Sequence, residues 1–187
     1  MNNLITLYSD FDENYRFLIG KPGKETLFFI AMNPSVATIN KWDQTILKSF
    51  GLAKILGYDG CIVLNLLPSR QSKSSEIPLS LPASVLKMNI DKIIEIIERN
   101  EKDKISIVAC WGEKFCENTD MQYSLITILE KIDKLKKKID WYCLKDTKSG
   151  NVLTNGGHPR HLSYLKETTF PEPFNILDYI NRIKLPR

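Results

Sequence analysis

Histidine is scarce in this chain: two of its 187 residues, His158 and His161, lie close together near the C-terminal end. A histidine-based zinc site therefore has few ligands to draw on. Cys61, Cys110, Cys116 and Cys143 are the four cysteines; they include no C-x-x-C pair and sit among apolar, strand-like neighbours. They are expected to be buried reduced thiols, with neither a disulfide framework nor a metal behind them. Long hydrophobic runs are missing as well. No window approaches the ~18–20 uninterrupted apolar residues of a membrane span, and the opening MNNLITLYSDFDENYRF has no basic start and places acids among its apolar residues. A cytoplasmic protein without targeting segment or membrane partner is expected. No internal repeat or low-complexity tract interrupts the chain.

What is present is ordinary globular composition, 43% hydrophobic and 26% charged, enough for one well-buried domain over residues 1–187. The formal charge of +4 permits an anionic partner such as nucleic acid without demanding one. Much of the excess lies in Lys131, Lys134, Lys136, Lys137 and Lys138, which read as a solvated helix face.

Three apolar runs rich in β-branched or aromatic residues, residues 27–32, 61–67 and 105–111, read as buried strands. Residues 44–56 and 85–97 carry helical periodicity between them. A helix over 123–137, a strand over 140–144 and a helix over 174–183 continue the alternation, which predicts an α/β fold: a parallel-rich sheet with helices on both faces. Residues 15–20 and the Lys-Pro-Gly-Lys turn that follows suggest a hairpin strand at the sheet edge. Residues 68–82, with three prolines and several serines, read as a surface loop.

In open α/β sheets, ligands bind beyond the carboxyl ends of the strands. There the first strand runs into Asn33-Pro34-Ser35, the second into Asn65 and the third into Trp111-Gly112. A fourth polar segment, Gly156-Gly157-His158-Pro159-Arg160-His161-Leu162-Ser163, has glycines at its entry and a proline beyond. Each residue also has a plainer reading. Asn33 ends a strand, Asn65 serves a buried backbone group, His158 is a hydrogen-bonded core histidine, and Trp42 and Trp111 are packing. Arg160 and His161 read as exposed loop residues.

Taken in order, these segments resemble the uracil-DNA glycosylase superfamily, in a divergent branch whose first loop reads Asn-Pro-Ser. Ala31-Met32-Asn33-Pro34-Ser35-Val36 matches the Gly-Gln-Asp-Pro-Tyr-His of the principal branch. Ile62-Val63-Leu64-Asn65 matches Leu-Leu-Leu-Asn, Cys110-Trp111-Gly112 matches Leu-Trp-Gly, and His158-Pro159-Arg160-His161-Leu162-Ser163 matches His-Pro-Ser-Pro-Leu-Ser. The resemblance implies a three-layer α/β/α fold and a base flipped out of its stack into a pocket.

It also implies a division of roles. Asn65 would read uracil through O4 and N3–H, with Met32 and Trp42 beside the base. Asn33 and His158 would be the catalytic pair, the histidine stabilising the departing base. Leu162 would fill the vacated stack, and Ser163, Arg160 and Ser35 would hold phosphates. No cofactor or metal is implied; the partners are DNA, single-stranded or mismatched, and a proteinaceous glycosylase inhibitor. The departure is at Asn33, where the principal branch has an aspartate: an amide brings neither negative charge nor basicity. Weak or lost uracil excision follows, as a DNA-binding module or an inhibitor-binding decoy, and Asn33→Asp is expected to raise excision if the remaining pocket is intact. The alternatives are an active glycosylase with a shifted base preference and an enzyme acting on free nucleotides or nucleosides.

Overall fold

The computed structural model describes residues 5–8, 14–38, 41–71, 73–162 and 170–184. In chain order these form β1 (Ile5–Tyr8), β2 (Arg16–Lys21), β3 (Thr26–Ala31), α1 (Gln44–Ile55), β4 (Gly60–Asn65), α2 (Ala83–Glu98), β5 (Lys104–Cys110), α3 (Thr119–Asp133), β6 (Lys138–Leu144), β7 (Pro171–Pro173) and α4 (Ile176–Lys184), with 3-10 turns at Ser74–Glu76 and Glu113–Glu117. The strands make one mixed sheet in the order β1-β2-β4-β3-β5-β6-β7. Its centre, β4-β3-β5-β6, is parallel, while β1, β2 and β7 run antiparallel to their neighbours.

Side chains alternate between faces along each central strand. Leu27, Phe29, Val63 and Val108 pack with Ile46, Leu52 and Ala53 of α1 on one face. Phe28, Ile30, Ile62, Leu64 and Ile107 pack on the other with Ile90 and Ile93 of α2, Leu125 and Ile128 of α3, and Tyr179 of α4. Helices thus cover both faces, and β3, β4 and β5 read as continuous apolar runs because neither of their faces meets water.

Three expectations change. The turn after residue 20 does not make a β2–β3 hairpin: β2 pairs with β4, in register Leu18↔Leu64, and so lies one strand away from β3. The third helix spans Thr119–Asp133, four residues before its expected start and end, because the Asn118 side chain caps it by accepting from Met121 N. The lysines beyond it are partly tied down, Lys137 Nζ donating to the carbonyls of Asn100 and Lys102, at 2.6 and 2.9 Å. Cys61, Cys110 and Cys143 are free and buried as expected, and burial pushes the thiols of Cys110 and Cys143 up to about 12. The loop at 68–82 is strapped to the start of α3: Asn118 Nδ2 donates to Pro78 O and Leu81 N to the Asp120 carboxylate.

Among the described residues no helix is long and apolar enough to cross a membrane, and no group of three or more histidine, cysteine, aspartate or glutamate side chains is placed to hold a metal ion.

Candidate functional site

Beyond β3 the chain goes to α1 and then to β4 on one side; beyond β5 it goes to α3 and then to β6 on the other. The carboxyl ends of β3 and β5 therefore flank the point where the connections diverge, which is where an α/β sheet opens a crevice. A cavity of about 630 Å³ lies there. Met32, Asn33, Ser35 and Val36 line it from beyond β3, Val63 and Asn65 from β4, and Trp111, Gly112, Glu113 and Lys114 from beyond β5. Asp43 to Ile46 at the start of α1, Arg16, Gln71, Asp146, Thr154, Arg160 and His161 complete the wall.

The loops after β3 and β4 are stitched into one rim. Leu66 N and Leu67 N donate to the carbonyls of Ala31 and Met32, at 2.9 Å each, and carry the β3–β4 pairing past the strand ends. Asn33 continues the stitching. Its Nδ2 donates to Gln71 O at 2.9 Å, Pro34 O at 3.0 Å and Ser69 O at 3.4 Å, while Gln71 N donates back to Pro34 O. The amide character of residue 33 is thus used as a donor to carbonyls, which an aspartate could not supply.

Asn65 is 1% exposed and lines the cavity. Its Nδ2 is buried and makes no hydrogen bond, a deficit of about 1–3 kcal/mol for a buried polar group. From behind, Asn89 of α2 donates through Nδ2 to the carbonyls of Asn65 and Leu66, at 2.9 and 3.1 Å. Asn89 was missed in the sequence, although a polar residue on the same stripe as Leu86, Ile90 and Ile93 was a signal.

Asp43 also escaped the sequence reading. It is the N-cap of α1, its Oδ1 accepting from Ile46 N at 2.9 Å, and its Oδ2 accepts from the Ser35 hydroxyl. Ser35 is thereby committed within the protein. Arg160 is likewise occupied: Nη2 donates to Leu153 O at 2.9 Å, Nε to Asn151 O at 3.2 Å, and Nη1 lies 3.8 Å from the Asp146 carboxylate.

His161 is a wall residue, half-buried rather than an exposed loop side chain. Gly112, just beyond β5, packs against it, and its φ of +79° and its close approach to the His161 Cβ, 3.2 Å from where a Cβ of residue 112 would stand, both favour glycine. Burial lowers the His161 pKa from 6.5 to about 4, with Asp43 pulling it upward and Lys48 downward. The unfolded chain therefore takes up a proton below about pH 6.5 that the folded protein refuses until about pH 4. Stability should fall as pH drops through that window. Urea midpoints measured across it should decline, and decline less in His161→Gln; equal slopes would show that His161 is not the group responsible.

The remaining expected site residues lie elsewhere. His158 is 3% exposed and does not line the cavity; its Nδ1 is 2.9 Å from the Tyr179 hydroxyl, which accepts from Trp111 Nε1 at 3.1 Å. Trp42 is stacked on Phe50, with ring centroids 4.6 Å apart, and is not a wall residue. Leu162 is 3% exposed, packed with the α1-face core. This corrects its reading as a presented wedge: Gly112 N bonds Pro159 O, which draws the segment back over the sheet and turns Leu162 inward. Ser163 lies outside the described residues.

No curated protein and no solved structure matches the chain. A family model does match, over residues 16–161, a span that takes in β2 through the cavity wall at His161. The chain therefore belongs to the family described as protein of unknown function (DUF1643).

Proposed function

We propose that this chain is a uracil-DNA-glycosylase-like protein whose cavity takes a uracil base and whose excision activity is weak or lost. The observation that carries the reading is Asn65: a buried carboxamide at the end of a central strand, on the wall of a ligand-sized cavity, with an unspent donor. Uracil offers a carbonyl to that donor and an N–H to the amide oxygen, a pairing that cytosine does not reproduce. Met32 borders the same space. Helices on both faces of a parallel-centred sheet support a three-layer α/β/α arrangement of the uracil-DNA-glycosylase kind.

The loss of excision follows from the two positions that the resemblance makes catalytic. Asn33 spends its amide on the carbonyls of Pro34, Ser69 and Gln71 and brings no charge to a cationic sugar. His158 faces Tyr179. DNA and a proteinaceous glycosylase inhibitor remain the partners that the resemblance implies.

A single-turnover assay tests this, with protein in excess over uracil-containing single-stranded and mismatched DNA and alkaline cleavage as the readout. Wild-type protein is expected to release little or no uracil. Asn33→Asp, which sets a carboxylate against three carbonyl oxygens, is expected to gain none and to lose stability by about 1–3 kcal/mol. Efficient multiple turnover by the wild-type protein would overturn the loss of excision. A marked gain in a folded Asn33→Asp variant would return residue 33 to the limiting role implied by the resemblance.

A further inference from the structure

We infer that the base-reading end of the cavity is matched by a sugar-reading end at Glu113, and that the ligand is a free ribonucleoside whose 2′ and 3′ hydroxyls both donate to that carboxylate. The inference rests on the base-binding reading above and names the substrate class of the same site.

Among the described residues, three carboxylates line the cavity: Asp43, Glu113 and Asp146. Two of them are committed to the protein. Asp43 caps α1 at Ile46 N and takes the Ser35 hydroxyl; Asp146 accepts from Lys148 N at 3.0 Å and Ser149 Oγ at 2.8 Å, and faces Arg160. Glu113 differs: among the described residues no hydrogen bond or ion pair reaches its carboxylate. The loop before His158 leaves room for it. A Cβ added at Gly156 would collide with Glu113 Oε1, and because the φ of Gly156 is not positive, it is this side chain rather than the backbone that favours glycine there.

The strand order sets the spacing across the cavity. Asn65 of β4 pairs with Ala31 of β3, and Ala31 with Cys110 of β5, so the ends of β4 and β5 stand two strand spacings apart, about 10 Å. Glu113 opens the 3-10 turn just past Cys110. The amide and the carboxylate therefore border the cavity from opposite flanks of β3. A base held at Asn65 leaves its sugar in the remaining space, and a volume of about 630 Å³ is in the middle of the range for pockets that enclose a whole small ligand.

What a carboxylate asks of that sugar is donors. An ionised carboxylate only accepts, through two oxygens, and a vicinal diol supplies two donors, as ribose does to an acidic residue in dinucleotide-binding α/β folds. A deoxyribose inside a strand supplies none. Its 3′ and 5′ oxygens are esterified, its C2′ carries no hydroxyl, and its flanking phosphates are repelled by the carboxylate. A duplex also needs a side chain to occupy the vacated stack, and Leu162, which the resemblance assigns to that task, is buried in the core.

Isothermal titration of the wild-type protein with uridine, 2′-deoxyuridine, uridine 3′-monophosphate and a uracil-containing single-stranded oligodeoxynucleotide tests the pairing without requiring any variant to fold. Uridine should bind at least about tenfold more tightly than deoxyuridine and than its own 3′-monophosphate. In Glu113→Gln the uridine-to-deoxyuridine ratio should shrink to within about threefold, and Gly156→Ala, which displaces the carboxylate while keeping its charge, should shrink it likewise. A wild-type ratio near one would overturn the diol pairing alone and leave the base reading at Asn65 intact. A ratio that survives both variants would overturn Glu113 as its cause. An oligonucleotide that binds more than about tenfold tighter than uridine would overturn the free ribonucleoside in favour of a strand. Binding of none of the four would overturn this inference and the base reading together.

Discussion

Asn65→Leu is expected to stabilise the free protein and abolish base binding at once. The buried Nδ2 makes no hydrogen bond, so a leucine of similar shape removes a desolvated donor and should raise the urea midpoint by an amount corresponding to about 1 kcal/mol. On the proposed reading, the same change removes the group that would pair with a ligand carbonyl. Deoxyuridine affinity should then fall by on the order of 100-fold, about 3 kcal/mol. The opposite signs of the two effects are what make the experiment decisive. A side chain kept to support the strand end would show both quantities falling together, and that result would remove the observation on which the proposed function stands. Asn65→Asp sharpens the chemistry. It keeps the shape, replaces the donor by a second acceptor and buries a carboxylate, so it should lose both affinity and stability.

The behaviour of Asn65 also depends on what stands behind it. Asn89 holds the carbonyls of Asn65 and Leu66 from α2, and Leu66 N and Leu67 N bind the carbonyls of Ala31 and Met32. The carboxamide is therefore carried on a backbone fixed from the helix side and the strand side, the arrangement a binding group needs if affinity is not to be spent on ordering it.

The strand ends that make the site were legible because β3, β4 and β5 are buried on both faces and so appear as predominantly apolar runs with a polar or glycine residue at or just beyond their ends. Strand pairing at the margins was not. Lys-Pro-Gly-Lys marks where the chain changes direction, yet the free edge that β2 occupies belongs to β4, a residue span some forty positions later. β7 is three residues with proline at both ends, too short for any periodicity to register. Within the site, Asn33, Ser35 and Asn65 reach the cavity as their positions after β3 and in β4 suggested, whereas Arg16 and Asp43 get there through long-range reach and helix capping. Arg160 and His161 read as exposed loop residues because their segment is polar and glycine-led. Its fold depends on contacts distant in sequence, Gly112 N to Pro159 O and His158 to Tyr179 of α4, and no local pattern encodes those.

The last of these contacts yields the second large effect. Trp111 Nε1 can only donate, so the Tyr179 oxygen accepts from it at 3.1 Å, and the phenol then meets His158 Nδ1 at 2.9 Å. His158 is 3% exposed and Trp111 fully buried. The three side chains form a polar chain through the core that joins α4 to the end of β5 and to the segment carrying His161. His158→Ala should leave a cavity and a less satisfied phenol, lowering stability by about 2–4 kcal/mol. Tyr179→Phe should cost about 2 kcal/mol by stranding the indole and imidazole nitrogens. Because both variants interrupt one network, the double variant should lose less than the sum of the single losses, by at least about 0.5 kcal/mol in a double-mutant cycle. Deoxyuridine affinity of the folded variants should change by less than about threefold, since His158 does not line the cavity. A His158→Ala protein with an unchanged urea midpoint and a tenfold loss of base binding or excision would reverse the assignment, and would put the histidine back beside the departing base.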